Sequence, residues 1–304
     1  MFEEALILTG PTGSGKSALG LALAERLGAE IVAMDSMTLY RGMDIGTAKP
    51  TAAERARVPH HLLDVLDPWE SASVAWWLEQ ARACCRDIQA RGKRVLFVGG
   101  TPLYLKALQC GLFEGPPAAP EVRQRLEAEA AQGGREALHR RLATVDPSSA
   151  ARLHPNDLRR VVRALEIWEL TGRPISDWQK QWPDTSSDPT CESAGIPLAL
   201  WLDRPRPELY ERINQRVVQM IEDGLVAEVR ALRELSQPLS REASQALGYK
   251  ELFDHLDGRA TLDEAIVRIQ TRTRNFAKRQ ITWFRHLPGC LPATEELTFR
   301  LWAS

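Results

Sequence analysis

Cysteine is scarce in this chain and shows no pattern. Five are spread over 304 residues (Cys84, Cys85, Cys110, Cys191 and Cys290), with no C-x-x-C pair among them. An odd, unpaired set suits reduced thiols, which argues against a disulfide framework and a structural zinc site. No apolar run approaches the about 20 residues that a membrane-spanning helix requires. The first residues, Met1-Phe2-Glu3-Glu4, are acidic rather than basic, so no secretory leader is expected, and the chain reads as cytoplasmic and independent of membranes. A charge excess is missing too, since 39 Lys and Arg face 40 Asp and Glu for a net charge of −1. A polyanionic partner would therefore have to meet a local patch rather than a global field. What is present, 44% hydrophobic and 26% charged residues, is the composition of a folded protein of one or two domains.

The order of apolar runs predicts an α/β fold. Ala5-Leu6-Ile7-Leu8, Glu30 to Met34, Arg94 to Gly100 and Pro197 to Leu202 are short and continuous rather than alternating. Such runs are the pattern of parallel strands buried on both faces. Helices are expected over Ser17–Leu27, ended by Gly28, and over Trp76–Ala90. Between the third and fourth runs the pattern is helical only, bounded by the Pro-rich stretches Gly115–Pro120 and Pro183–Pro189. We therefore expect a P-loop-type parallel-sheet core with helices on both faces, formed by residues 1–114 and 194–304, and an all-helical insertion domain over 115–193. Further helices are expected over Arg206–Leu235, Ser240–Leu256 and Thr261–His286.

Gly10-Pro11-Thr12-Gly13-Ser14-Gly15-Lys16-Ser17 fits G-x-x-x-x-G-K-[ST] and lies between a strand and a helix, the context the motif demands. Its glycines let backbone N–H groups turn around phosphate oxygens, the helix N-terminus adds a positive dipole end, Lys16 supplies a cation, and the Ser17 hydroxyl suits Mg²⁺. The motif alone leaves the rest of the ligand open, because a nucleotide such as ATP or any other diphosphate fits the same geometry. The later apolar strand ends Val98-Gly99-Gly100-Thr101, without the Asp that usually holds Mg²⁺ in NTPases, which weakens an ATPase reading. Asp35 instead falls at the C-terminal edge of the second strand, where ligands bind in such sheets. It could accept a proton from an attacking nucleophile or simply cap a following helix. Asp35 to Pro50 has no clean periodicity and reads as a functional loop, while His60-His61 reads as structural.

Two basic stretches depart from the neutral average. Arg159-Arg160-Val161-Val162-Arg163 lies in the insertion, with Arg123 and Arg125 extending the character to its first helix. Arg268 to His286 carries Arg268, Arg272, Arg274, Lys278, Arg279 and Arg285 and no acidic residue. Uncompensated cations favour a polyanion, against the alternative of solvated helix faces. Ile266, Ile269, Phe276 and Trp283 supply a core-facing stripe on the second of these, and the tryptophans in general read as core. Arg212 and Arg216 share one helix face and could reach the phosphate site, or Arg212 could pair with Glu208 on an exposed helix.

Taken together, the Gly10–Ser17 loop, Asp35-Ser36-Met37 with Tyr40-Arg41, Asp44-Ile45-Gly46-Thr47-Ala48-Lys49-Pro50, Gly99-Gly100-Thr101-Pro102-Leu103-Tyr104, Asn156 to Glu166, Gln245 to Lys250 and Arg272 to Trp283 resemble the bacterial tRNA dimethylallyltransferases, also called tRNA isopentenyltransferases. Gly13 and Ser17 stand where many members have Ala and Thr, changes that keep the chemistry. The resemblance implies transfer of a dimethylallyl group from dimethylallyl diphosphate to the exocyclic amine of the adenosine 3′ to the anticodon, with release of diphosphate. It implies that Gly10 to Ser17 hold the diphosphate, Lys16 and Mg²⁺ at Ser17 stabilise the leaving group, Asp35 accepts the amine proton, and Thr101 and Arg212 flank the reacting centre. It further implies that Asp35, Ser36, Met37, Thr38, Thr101, Arg123, Arg159, Arg160, Val161, Val162 and Arg163 contact the tRNA anticodon stem-loop, that the base is drawn from its stack, and that the enzyme acts as a monomer. A small-molecule kinase of the same fold, consuming ATP, and a non-catalytic RNA-binding switch are the competing expectations.

Overall fold

The computed structural model describes residues 2, 4–112, 115–179 and 198–302. The chain forms two compact units, Met1–Cys110 with Thr190–Ser304, and Gly111–Pro189. The expected border at 115 falls instead at Gly111, immediately after a helix that ends at Cys110. The border at 193, the Pro183–Pro189 stretch and Cys191 lie outside the described residues.

The first unit opens with β1 (Leu6–Thr9), α1 (Lys16–Leu27), β2 (Ala29–Ala33), α2 (Ala52–Arg57), β3 (His60–His61), α3 (Val74–Ala90), β4 (Arg94–Gly99) and α4 (Pro102–Cys110). The helical unit holds α5 (Pro120–Gly133), α6 (Arg135–Val145), α7 (Pro147–Arg152), α8 (Leu158–Thr171) and α9 (Ile175–Trp178). The first unit resumes with β5 (Ala199–Leu202), α10 (Arg206–Glu222), α11 (Leu225–Arg233), α12 (Arg241–Ser244), α13 (Tyr249–Leu256), α14 (Leu262–His286), β6 (Cys290–Ala293) and α15 (Glu295–Trp302). Six parallel strands run in the order β3-β2-β4-β1-β5-β6. The central strands are buried on both faces, as their continuous apolar runs require. Trp77 stacks on Tyr104 with ring centroids 4.1 Å apart and donates its indole N–H to the Ala33 carbonyl, tying α3 and α4 to the end of β2.

The expected helix over Ser240–Leu256 is two, α12 and α13, parted between Gln245 and Gly248, and three further expectations are corrected. Arg206–Leu235 is two helices, because Gly224 adopts φ 101 between α10 and α11. Two strands were not expected: His60–His61 is a short edge strand, its His61 imidazole on the Glu30 carboxylate, and Cys290–Ala293 contains Pro292, which is tolerated because the strand lies at the sheet edge. The core stripe of α14 runs through Ala265, Ile269, Ala277, Gln280, Ile281 and Phe284, whereas Trp283 is 37% exposed and Phe276 only half-buried. A glutamine thus occupies the middle of an apolar stripe.

The helical unit has its own core, built from Leu126, Leu138, Leu142, Val161, Val162, Leu165 and Ile167.

Candidate active site

The Gly10–Ser17 loop follows β1 and opens α1. Gly13 and Gly15 adopt φ 82 and 98, conformations in which a side chain is strained, and the turn they make leaves the first N–H groups of α1 without intrahelical partners. The loop is braced from outside. Arg204 Nε donates to the Ser14 carbonyl (2.6 Å), Arg212 Nε to the Gly13 carbonyl (2.9 Å), and Thr12 N–H donates to Gln280 Oε1 (2.9 Å). With these carbonyls held by guanidinium groups, the loop keeps its N–H face for an anion. Arg204 also pairs with Glu208 (2.6 Å) and Glu295. Glu208 therefore serves Arg204 rather than Arg212, contrary to the spacing-based alternative.

A cavity of about 450 Å³ lies against the loop, lined by Gly13, Gly15, Lys16, Ser17, Ala18, Ala48, Arg212, Gln215, Arg216 and Gln219. Burial pulls the Lys16 ammonium down to about 8, with Asp35 opposing the shift and Arg216 reinforcing it. Burial likewise lowers the Arg216 guanidinium, again opposed by Asp35 and reinforced by Arg212. Arg216, placed second to Arg212 from sequence, is thus the arginine whose charge bears on both Lys16 and Asp35. Arg212 sits on the rim as a loop brace. Neither arginine makes an ion pair among the described residues.

Asp35 follows β2 and is half-buried. No helix follows it, so the capping alternative is replaced by a turn in which Asp35 Oδ1 accepts from Met37 N–H (3.0 Å) and Thr38 Oγ1 donates to the Asp35 carbonyl (3.2 Å). Thr101 lies opposite, between β4 and α4. Its Oγ1 accepts from Ser36 N–H (3.1 Å), and its own N–H donates to the Met34 carbonyl (3.2 Å). Gly99 lets the two strand ends meet, since a Cβ there would stand 2.1 Å from the Met34 oxygen. The structure therefore brings Asp35, Ser36 and Thr101 into one wall, with Lys16 and Arg216 feeling its charge. Asp35 does not line the cavity itself.

Sequence reasoning missed the groups that shape the loop after Asp35. Glu228 on α11 accepts backbone N–H groups from Asp44 (2.9 Å), Ile45 (2.8 Å) and Gly46 (3.3 Å), and the Tyr249 hydroxyl donates to it (2.6 Å). The buried Lys49 ammonium pairs with Asp44 (2.6 Å) and Asp64 (2.5 Å) and donates to the Tyr40 carbonyl. Asp44 to Lys49 is thus fixed from within.

In the helical unit, Arg159 and Arg160 are exposed. Val161 and Val162 are corrected as RNA contacts: they are 0% and 2% exposed within the core, and Val161 N–H donates to the Asp157 carbonyl. Arg123 and Arg163 converge on Glu166, which is fully buried and also accepts from Ala119 N–H (2.7 Å). Burial pushes the Glu166 carboxyl up, but the hydrogen bonds from Arg123 and Arg163 outweigh it and hold it below its ordinary range. Of the basic face of α14, Arg272 pairs with the buried Glu251 and Arg274 with Asn214 Oδ1 (2.6 Å), while Arg268, Lys278, Arg279 and Arg285 are exposed. No cluster of His, Cys, Asp and Glu suited to a metal exists among the described residues, nor any helix long and apolar enough to cross a membrane.

A parallel sheet, a phosphate-type loop between its first strand and helix, and basic groups over that loop define a P-loop α/β enzyme. Within that class, residues 38–287 match the family profile described as IPP transferase and residues 3–64 the one described as isopentenyl transferase. The tRNA dimethylallyltransferase of Geobacter metallireducens is 50% identical over 280 residues, 92% of this chain and 89% of that protein. That of Geobacillus thermodenitrificans is 47% identical over 287 residues, 94% and 89%. Among solved structures, a Bacillus halodurans tRNA isopentenylpyrophosphate transferase superposes with a TM-score of 0.67 at 41% identity, covering 96% of this chain and 90% of that one. A eukaryotic dimethylallyltransferase acting on tRNA gives 0.77 at 29% identity, covering 98% and 76%. The chain belongs to the tRNA dimethylallyltransferase (IPP transferase) family.

Proposed function

We propose that this chain transfers the dimethylallyl group of dimethylallyl diphosphate to the exocyclic amine of the adenosine 3′ to the anticodon in tRNA. The observation that carries this is the placement of one carboxylate, Asp35, where its charge is felt by Lys16 and Arg216 beside a P-loop cavity. The donor diphosphate lies along Gly10 to Ser17, with loop N–H groups, Lys16 and Arg216 on its oxygens and Arg212 at the rim. The amine nitrogen attacks the first carbon of the dimethylallyl group. The new C–N bond takes the nitrogen lone pair, the C–O bond breaks onto the departing diphosphate, and the amine proton passes to Asp35. The nitrogen lone pair is delocalised into the purine ring, so Asp35 aligns it as well as accepting the proton. Cations fixed before the reaction stabilise the charge that develops on the leaving oxygen.

The Ser17 hydroxyl opens on the cavity and makes no hydrogen bond among the described residues. A hard-oxygen donor beside a diphosphate site fits Mg²⁺, with Ser17 and diphosphate oxygens as ligands. Bound there, Mg²⁺ would add charge neutralisation on the departing diphosphate to that provided by Lys16 and Arg216.

Extruding the base from the anticodon loop costs a few kcal/mol. Ser36 and Met37 beside Asp35 line its path, with the buried Thr38 closing the turn behind them; each unit offers the backbone its own exposed cations, Arg159 and Arg160 in the helical unit and Arg268, Lys278, Arg279 and Arg285 on α14 in the first. One chain carries all these groups, so a monomer suffices.

The test combines the protein, labelled dimethylallyl diphosphate, Mg²⁺ and unmodified tRNA, with ATP as control donor. Label entering tRNA without ATP is the expected result. Failure of transfer, or a requirement for ATP hydrolysis, would favour the kinase or switch alternatives.

A further inference from the structure

We propose that Gln280 is a positioning residue that sets the spacing between the diphosphate cradle and the wall carrying Asp35 and Thr101. Its side chain is 3% exposed on the apolar stripe of α14. An apolar residue would fill that position at no desolvation cost, so a buried amide there needs a task. Both ends of the amide are engaged by backbone from different segments. Oε1 accepts from Thr12 N–H in the loop (2.9 Å), and Nε2 donates to the Gly100 carbonyl beyond β4 (2.5 Å).

These two segments are the two sides of the reaction. Thr12 belongs to the loop that grips the leaving group. Gly100 precedes Thr101, which holds Ser36 next to Asp35. No strand pairing reaches between the loop and the Gly100–Thr101 turn: the β1–β4 register ends at Thr9 with Gly99, where Thr9 Oγ1 donates to the Gly99 carbonyl (2.8 Å). Beyond that point the sheet has stopped, and Gln280 supplies the next rung. The space is filled on all sides. A Cβ on Gly100 would meet Gln280 Nε2 at 2.8 Å, the Gly10 carbonyl at 3.2 Å and Lys16 Nζ at 3.3 Å. Gly100 thus lies where Gln280, the Gly10 carbonyl and the Lys16 ammonium all come close to one backbone position.

Thr12 N–H points to Gln280, so the bond does not compete with the N–H groups at the start of α1 for the anion. Its effect is on distance. Misplacing a nucleophile by about 1 Å can cost on the order of 10²-fold in rate while binding of each reactant persists. A spacer is therefore read by a fall in the chemical step at near-constant affinity.

This inference rests on the transfer reaction proposed above. Gln280→Met keeps length and apolar packing and removes both bonds, while Gln280→Glu keeps an acceptor for Thr12 N–H and loses the donor to Gly100. We expect Gln280→Met to lower the single-turnover transfer rate roughly tenfold or more. The dissociation constants for inorganic pyrophosphate with Mg²⁺ and for tRNA should stay within about threefold in Gln280→Met, and Gln280→Glu, which sets a buried carboxylate oxygen against the Gly100 carbonyl, should slow transfer at least as much. Hydrogen exchange over residues 9–15 and 98–103 should accelerate in Gln280→Met whatever reaction the protein catalyses. Should Gln280→Met not fold, Gln280→Asn, whose amide is one methylene too short to span Thr12 and Gly100 together, is expected to give the same rate loss at retained pyrophosphate binding. Unchanged exchange overturns the clamp. Faster exchange with an unchanged rate overturns the positioning role, as does a rate loss matched by an equal loss of pyrophosphate affinity, which would make Gln280 a prop of the loop alone. A wild-type protein that transfers nothing overturns the reaction and the positioning role with it.

Discussion

Arginine is used differently over the P-loop and in the helical unit. Over the P-loop, Arg204 and Arg212 hold backbone carbonyls and Arg216 sits half-buried beside Lys16, with Asp35 the one carboxylate whose charge bears on the Lys16–Arg216 pair. In the helical unit the arginines are matched by carboxylates, Arg123 and Arg163 by Glu166, Arg125 and Arg141 by Glu169, and Arg160 by Asp157. In the first arrangement Arg204 is matched by Glu208 and Glu295, but Arg212 and Arg216 have no carboxylate partner among the described residues and leave positive potential for an anion to neutralise. The second satisfies its charges internally and holds helices together, so a run of basic residues in sequence says little about binding until the acids folded against it are known.

The contrast is broken first at Asp35. Asp35→Asn should lower single-turnover transfer by about 10²- to 10⁴-fold and leave pyrophosphate affinity nearly unchanged; parallel loss of both would remove Asp35 from the role of base. In the helical unit the same kind of change should act on stability instead. Glu166→Ala strands two guanidinium groups and should cost that unit about 3 kcal/mol, the low end for breaking a buried pair because both arginine heads reach solvent. Faster hydrogen exchange in α5 and α8 with unaltered pyrophosphate binding is the expected observation.

A smaller effect should follow from Arg159→Glu with Arg160→Glu, both exposed. tRNA affinity should fall about tenfold at moderate salt, with a shallower dependence on salt concentration. Arg163 is omitted from that pair, since it serves Glu166 and its loss would mix unfolding with binding. Smallest is the pH response. The Glu166 carboxyl is held below its ordinary 4.5, so the stability it contributes is complete above 4.5 and is lost as pH falls through its lowered value. Protection of the helical unit, measured against the intrinsic exchange rate at each pH, should be lower at pH 4 than at pH 7, and Glu166→Gln should flatten that difference.

What could be read in the sequence was what is local. The strand, glycine turn and helix from Leu6 to Leu27 carry their own signals, and Asp35 and Thr101 were placed by their positions at strand ends. The braces were not legible. Gln280 reaches Thr12 across 268 residues and Arg204 reaches Ser14 across 190, and no periodicity encodes such distances. Val161 and Val162 were misjudged because a motif was taken as a continuous surface, whereas a helix turns part of any such run inward. The edge strands β3 and β6 escaped notice because two His residues and a Pro-containing tetrapeptide lack strand composition.

The long reach of these braces bears on how the protein is made. Strand β1, the glycine turn and α1 leave the ribosome first and can collapse early, but Arg204, Arg212 and Gln280 are synthesised only after the whole helical unit has emerged. A nascent chain shorter than 204 residues has the loop sequence without any of these supports, and one shorter than 280 still lacks the link from Thr12 to the Gly100 turn, so the spacing needed for transfer is set only when translation is nearly finished.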